Sequence, residues 1–391
     1  MKVAIFTDSW FPRIDGLTTS VQGIKSALER RGHEFHVFAS GPKWERSADV
    51  TRYKGVPFWG YPDFHVALRP GRHDAAKILR DEEFDLVHIQ SPFMVGLWGL
   101  LGARKAGLPV ITSYHTYIPD LVPYVVPPGL RSLSRKLVWR STGAFLRRSD
   151  LVLAPSPSCA AELLAHAGEN LPPMHVHPNG VDTKRFHPRE RSAAMHSRLS
   201  PKGGPVVVSI GRLAREKDVP FLVDALALAR KQVPGLQLAV GGKGPELEAI
   251  QKRVRRHGLE RAVTFLGFVP DKDLASVYAS ADAFASASQF ETQGMTAVEA
   301  MACGTPVAAV HARGLADYVL GGRTGTLWAP NDVGEAAWAL VEAANAPQAI
   351  RAAARRHAES FSLERSTDQL EHLYRQATGA EREVRPSILS T

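Results

Sequence analysis

Short apolar runs, each closed by glycine or a polar turn and followed by a segment of helical period, recur along this chain, stop, and begin again. Val3–Thr7, Phe35–Ala39, Leu86–Ile89, Val110–Ser113, Leu151–Ala154 and His175–His177 read as strands, and Thr18–Arg31 as a helix stopped by Gly32. After a polar stretch with weak periodicity, 189–204, a second series follows: Pro205–Ile210, Gln237–Gly241, Val263–Leu266, Ala283–Ala285 and Pro306–Ala309. Phe221–Gln232 and Glu246–His257 are the helices between them. Short apolar strands alternating with helices belong in a parallel sheet covered on both faces. The spacing predicts two doubly wound α/β domains, 1–185 and 186–362. A last helix near Leu363–Ala377 is expected to return to the first domain, and the polar tail after Thr378 to fray.

Composition removes several classes of protein. The chain has 391 residues, 44 % apolar, enough for a large core, and no run long and apolar enough to predict a membrane span. The start, Met-Lys-Val-Ala-Ile-Phe-Thr-Asp, reads as a strand rather than a signal peptide. Only Cys159 and Cys303 occur, so a disulfide framework or zinc site is not indicated and a cytoplasmic setting is expected. The net charge of +9 is split +5 and +4 between residues 1–180 and the remainder. It is concentrated locally: 121–149 hold Arg131, Arg135, Lys136, Arg140, Arg147 and Arg148 and no acid. Such a patch suits an anionic lipid surface or an acidic substrate. Nucleic acid is not expected, because no nucleic-acid-binding signature accompanies the charge.

Ligands of open parallel sheets bind beyond the carboxyl ends of the strands, and the strand ends are where this sequence is unusual. The first strand runs into Asp8-Ser-Trp-Phe-Pro12-Arg-Ile-Asp15-Gly16, a loop whose glycine permits close backbone approach before a helix. It lacks the Gly-x-Gly-x-x-Gly dinucleotide pattern. Tyr114-His115-Thr116-Tyr117 follows another strand, placing a histidine to meet a hydroxyl or move a proton. In the second series, Gly211-Arg212 and Lys217 span one turn and offer a forked donor and a point charge to a diphosphate. Gly241-Gly242-Lys243-Gly244 opens the next helix. The most informative stretch is Glu291-Thr-Gln-Gly294-Met295-Thr296-Ala-Val-Glu299, with a helix predicted to start near Gly294. Amides at Gly294, Met295 and Thr296 would face an anion, with Glu291 before the helix and Glu299 in its second turn.

Each of these features alone also fits an ordinary turn, a satisfied histidine or a solvated charged loop. Together, and in this order, they resemble the retaining glycosyltransferases of family 4, whose GT-B architecture pairs two Rossmann-like domains across a cleft. The matching pieces are the loop ending at Gly16, Ser113-Tyr-His115-Thr, Pro178-Asn-Gly-Val-Asp182…Phe186, Gly211-Arg212…Glu216-Lys217, Phe265-Leu-Gly267-Phe-Val269 and Glu291…Glu299. The resemblance implies that Arg212 and Lys217 neutralise the donor diphosphate and that Glu299 binds the ribose hydroxyls. It places Glu291 beside the hexose, with Gly294, Met295 and Thr296 holding sugar and phosphate, and His115 at the transferred sugar. Gly16 matches the loop over the phosphate, Val269 the backbone contact to the base, and Gly242 a wall of the nucleotide pocket. The family needs no metal, and no cofactor is expected. One departure is Asp15-Gly16, where relatives often carry two glycines.

The family moves a hexose with retention at the anomeric carbon. No strong covalent nucleophile is legible, so same-face displacement assisted by the leaving phosphate is the expected route. Tyr114–Asp120 followed by a basic, aromatic helix resembles lipid-directed α-glucosyl- and α-mannosyltransferases. The expected reaction moves glucose or mannose from a UDP- or GDP-sugar to a lipid such as diacylglycerol. Residues 130–148 are a possible contact with an anionic membrane, which would make the protein peripheral. Leu133, Leu137, Trp139, Phe145 and Leu146 would lie on that bilayer, the equally open alternative being a core-packed helix with a solvated basic face. The alternatives are a soluble saccharide or secondary-metabolite acceptor, or a non-catalytic nucleotide-sugar-binding protein.

Overall fold

A computed structural model describes residues 1–11, 16–58, 61–68, 75–122, 126–168 and 170–380. The chain forms two compact units, one of residues up to Gly180 with the segment from Leu363 on, the other Val181–Ser362. The division falls at Gly180 and Val181 rather than at 185–186.

In the first unit, β1 (Lys2–Thr7), β2 (Glu34–Gly41), β6 (Leu86–Ile89), β7 (Val110–Ser113), β8 (Leu151–Ala154) and β9 (Met174–Val176) form a parallel sheet. Its order is β3-β4-β2-β1-β6-β7-β8-β9, with β5 paired to β4. Strands β3 (Glu45–Arg46), β4 (Val50–Phe58) and β5 (Tyr61–Ala67) are additions that the apolar-run pattern does not predict. In β4, Gly55 and Pro57 interrupt the run and Val56 is exposed, so the segment reads as a loop although it pairs parallel with β2.

Alternation along β1 explains the layers. Val3 and Ile5 bury against Val21, Leu28, Leu370, Leu373 and Tyr374, drawn from the helices Gly16–Glu29 and Leu363–Thr378. The C-terminal helix is thus part of this core. Ala4 and Phe6 point the other way, into a cluster with Phe38, Val95, Trp98 and Leu100. There the helix Met94–Ala106 lies directly on the sheet because Gly99 has no side chain. A Cβ at that position would stand 2.4 Å from the ring of Phe6.

The second unit is a six-stranded parallel sheet in the order β12-β11-β10-β13-β14-β15. Its strands are β10 (Val206–Ile210), β11 (Gln237–Gly241), β12 (Val263–Gly267), β13 (Ala283–Ser286), β14 (Val307–Val310) and β15 (Gly325–Trp328). The last of these, at the sheet edge, is not signalled by the sequence pattern. Helices Val219–Gln232 and Val333–Ala344 pack against each other, and one continuous core, chiefly Ala, Val and Leu around Tyr278, Phe284 and Trp328, fills the unit. The polar stretch 189–204 contains a short helix, Ala193–Leu199, started by Ser192, whose Oγ accepts from the Met195 amide at 3.3 Å. That hydroxyl satisfies one of the amides a helix start leaves over.

Candidate functional site

In the second unit the strand ends are laced together by backbone. Gly211 N donates to Gly241 O at 3.0 Å and Gly242 N to Gly267 O at 2.7 Å. Gly242 sits at φ 139°, and a Cβ there would lie 1.8 Å from Gly211 O. Only glycine permits this approach. Val269, half-buried just beyond β12, packs over Gly241.

After β10 the chain makes a tight turn, Arg215–Lys217, closed by Asp218 in the left-handed region at φ 44°. Arg212 pairs with Glu216 inside this segment, while Lys217 reaches out to the Oε1 of Glu291. The two cations expected to act as a pair thus each hold a separate carboxylate.

Glu291 belongs to the loop before the helix Met295–Ala302. The turn into that helix is made by Gly294 at φ 83°, where a Cβ would press within 2.7 Å of Leu315 Cδ2. The first-turn amides, Met295 and Thr296 included, have no carbonyl four residues back in the helix and carry its positive dipole end. A second glycine secures the loop: Gly314 N donates to Glu291 O at 3.1 Å, and a Cβ on Gly314 would stand 2.6 Å from Gln293 N.

The two glutamates flank the same helix start in opposite electrostatic states. Burial pushes the Glu291 carboxyl up, but the Lys217 ammonium outweighs it and holds the group below its usual range. Burial of Glu299 pushes its carboxyl to about 7, only partly offset by a hydrogen bond from Tyr278 Oη at 3.0 Å and by the charge of Arg185. Glu291 is therefore a fixed anion, whereas Glu299 gains and loses a proton near neutrality.

In the first unit His115 follows β7 and is half-buried, with its Nε2 2.8 Å from Gln90 Oε1. Gln90 follows the neighbouring strand β6, and its backbone amide donates to Phe6 O at 2.8 Å. His88, two residues earlier, is fully enclosed, with Nδ1 2.6 Å from Tyr374 Oη and Nε2 2.8 Å from Ser113 Oγ. Burial, reinforced by His115 and His177, holds His88 well below the ordinary histidine range. Gly16 is the exposed first residue of its helix, with open space where a Cβ would go. Residues 12–15 of its loop lie outside the described residues. Asp8, at the start of that loop, caps Met94–Ala106: its Oδ1 accepts from Val95 N at 3.1 Å and its Oδ2 from Ser91 Oγ at 2.9 Å. Burial pushes its carboxyl to about 6, against these bonds.

Three residues joined to the expected site carried no sequence signal: Gln90, Tyr278 and Gly314. Each acts through a partner distant in sequence, which spacing along one segment does not reveal.

The basic helix Arg131–Leu146 divides its apolar residues between the two readings. Trp139, Phe145 and Leu146 are buried in the unit's own core, so they are unavailable to a bilayer. Leu133 and Leu137, with Leu130 before the helix, are the exposed apolar residues, 56–60 % accessible, beside Arg131, Arg135, Lys136 and Arg140. Among the described residues no helix is long and apolar enough to cross a membrane.

Two successive parallel α/β units, the second with glycine-lined turns at its strand ends, belong to the GT-B class of fold. The chain is a member of glycosyltransferase family 4: that family's model matches residues 14–185, and the model described as glycosyl transferases group 1 matches 190–360. It is 35 % identical over 333 residues to a GDP-mannose-dependent alpha-mannosyltransferase of Mycolicibacterium smegmatis, covering 84 % of each chain. It is 31 % identical over 322 residues to an alpha-monoglucosyldiacylglycerol synthase of Streptococcus pneumoniae, covering 79 % of this chain and 71 % of that one. The fold is that of Anabaena Alr3699/HepE, solved with UDP and glucose (TM-score 0.74, 22 % identity, 96 % of this chain and 100 % of that). Sucrose-phosphate synthase from Thermosynechococcus elongatus shares it too (TM-score 0.76, 24 % identity, 97 % and 99 %). The chain is accordingly a retaining, nucleotide-sugar-dependent glycosyltransferase.

Proposed function

We propose that this enzyme transfers glucose or mannose from a UDP- or GDP-sugar to a membrane lipid acceptor, diacylglycerol or a glycolipid, without a metal ion. The observation that carries the donor half is the Lys217–Glu291 pair at the glycine-headed start of Met295–Ala302. Lys217 and Arg212 meet the diphosphate and stabilise the charge that grows on it as the glycosidic bond breaks. Binding draws Lys217 toward phosphate and leaves Glu291 free to accept from hexose hydroxyls. The amides of Gly294, Met295 and Thr296 hold sugar and phosphate, Glu299 takes the ribose hydroxyls, and Gly242 and Val269 border the base. His115 contacts the transferred sugar, and Gly16 gives backbone access to phosphate.

Retention follows from attack on the face the phosphate leaves, with that phosphate taking the acceptor proton. A glycosyl adduct trapped on Glu291 and seen by mass spectrometry would replace this route with double displacement. The lipid acceptor draws support from the name of the Streptococcus pneumoniae relative, an alpha-monoglucosyldiacylglycerol synthase, and from Leu130, Leu133 and Leu137 standing exposed among cations. Such a face suits peripheral attachment to an anionic bilayer.

The test is a donor panel of UDP-glucose, UDP-galactose, UDP-N-acetylglucosamine and GDP-mannose, incubated with diacylglycerol or a bacterial lipid extract. Arg212→Ala and His115→Ala are the controls. A single donor yielding a glycolipid, lost in both variants, is the expected result. Donor hydrolysis without lipid product moves the acceptor to a soluble saccharide or secondary metabolite, and binding without turnover returns a non-catalytic nucleotide-sugar binder.

A further inference from the structure

We propose that Gln90 is a positioning residue for transfer: its side-chain amide fixes the ring orientation and the tautomer of His115. The proposal rests on the reading of His115 as a contact to the transferred sugar.

Strand order produces the juxtaposition. β6 lies between β1 and β7, and Gln90 and His115 leave the ends of two neighbouring strands. Both backbones are fixed by ladder bonds, Gln90 N to Phe6 O at 2.8 Å and Tyr114 N to Leu153 O at 2.9 Å. The side-chain bond, Gln90 Oε1 to His115 Nε2 at 2.8 Å, therefore joins two rigid supports, and Gln90 is only 4 % exposed. With the amide oxygen as acceptor, Nε2 carries the ring proton and Nδ1 becomes the accepting nitrogen of the neutral ring.

The surroundings favour a neutral partner over a carboxylate. Gln90 and His115 line one cavity with His88, Ser113, His177, Asn179 and Tyr374. Its titratable groups come from four directions: His88 on β6, His115 after β7, His177 after β9 and Tyr374 on the C-terminal helix. Asp8, beyond β1, is turned to Ser91 and the start of Met94–Ala106. His88 and His177 are both depressed, chiefly by burial, and stay uncharged near neutrality. An amide orients His115 without bringing an anion into this group, whereas a carboxylate would draw a proton onto the ring.

The experiment combines nitrogen NMR of 15N-histidine protein with transfer kinetics. The His115 signals are assigned, among fifteen histidines, by their absence in His115→Ala. In the parent protein they should report the Nε2–H tautomer. Gln90→Leu should mix the tautomers and lower kcat about tenfold, less than the roughly 10²-fold that loss of an acid–base or orienting group itself costs. Its affinity for the nucleotide donor should not change. Gln90→Glu, close to isosteric, should move the His115 titration up by about one pH unit, the scale of a single adjacent carboxylate, and shift the acidic limb of the rate profile with it. Unchanged His115 nitrogen shifts in both variants overturn the proposal. So does altered NMR with unaltered transfer, provided His115→Ala is inactive. An active His115→Ala instead removes the reading of His115 beneath it.

Discussion

The two units treat charge in contrasting ways at their strand ends. The second unit presents ions and open amides: Arg212 with Glu216, Lys217 with Glu291, and a helix start headed by Gly294. The first unit presents polar groups held by hydrogen bonds: buried His88 on Ser113 and Tyr374, and half-buried His115 on Gln90. A nucleotide sugar carries its charge on the diphosphate and almost none on the hexose. The proposed function gives the ionic side to the diphosphate and sets His115 of the other unit against the transferred sugar.

Lys217→Ala should break this comparison most severely, because it removes a cation from the leaving group and strands Glu291 as a buried anion. Transfer should fall by about 10²–10³-fold, the usual cost of one preorganised transition-state contact, with donor affinity also weakened. Initial rates and calorimetric titration of UDP check both. His115→Ala should act on one side of the comparison only. Its kcat should drop by about 10²-fold, as for loss of an acid–base or orienting histidine, while the UDP dissociation constant stays that of the parent. An equal loss of UDP affinity in His115→Ala would contradict the assignment of nucleotide binding to the second unit.

The same contrast decides what was legible in the sequence. Ladder strands such as Val206–Ile210 and Leu86–Ile89 announce themselves because burial on both faces demands mostly apolar residues. The glycine-headed helix at Met295 is visible for a related reason, since φ 83° against Leu315 excludes other residues. Strand β4 was illegible because it carries Gly55, Pro57 and an exposed Val56, and its support comes from pairing with β2 rather than from its own pattern. Tyr278 and Gln90 were illegible as site residues because a buried tyrosine or a strand-end glutamine is ordinary until its partner is known. In the helix Arg131–Leu146, composition did not tell outward leucines from inward aromatics; contact with the sheet did.

That helix gives a smaller prediction. Leu133→Glu combined with Leu137→Glu removes two exposed apolar side chains, each worth about 1.5 kcal/mol or more when buried. Vesicle affinity should fall by at least tenfold, roughly the sum of those terms reduced by incomplete immersion. Soluble-donor hydrolysis should be untouched. Flotation with phosphatidylglycerol and with neutral vesicles is the measurement, and equal binding to both by the parent protein argues against an electrostatic contribution from Arg131, Arg135, Lys136 and Arg140.

The smallest effect is the most diagnostic of how the two glutamates differ. Because the Glu299 carboxyl is pushed to about 7, the folded protein holds a proton there that the unfolded chain has already lost. Stability should therefore fall as pH rises from the ordinary glutamate range to about 7, and level off above. Nucleotide affinity should move the opposite way. Only the ionised carboxylate accepts from both ribose hydroxyls, so UDP binding should strengthen with rising pH up to about 7 by as much as roughly tenfold per unit, then flatten. Glu299→Gln should remove both trends while leaving the Tyr278 hydroxyl an acceptor at its 3.0 Å contact. It should melt higher than the parent at pH 8 and bind UDP weakly but evenly across pH. Glu291→Gln should keep both trends, since Glu299 still titrates near 7 while the Glu291 carboxyl it replaces is held below its usual range by Lys217. If Glu299→Gln retained a UDP-binding midpoint near 7, the titrating group would lie elsewhere and the ribose assignment would fall with it.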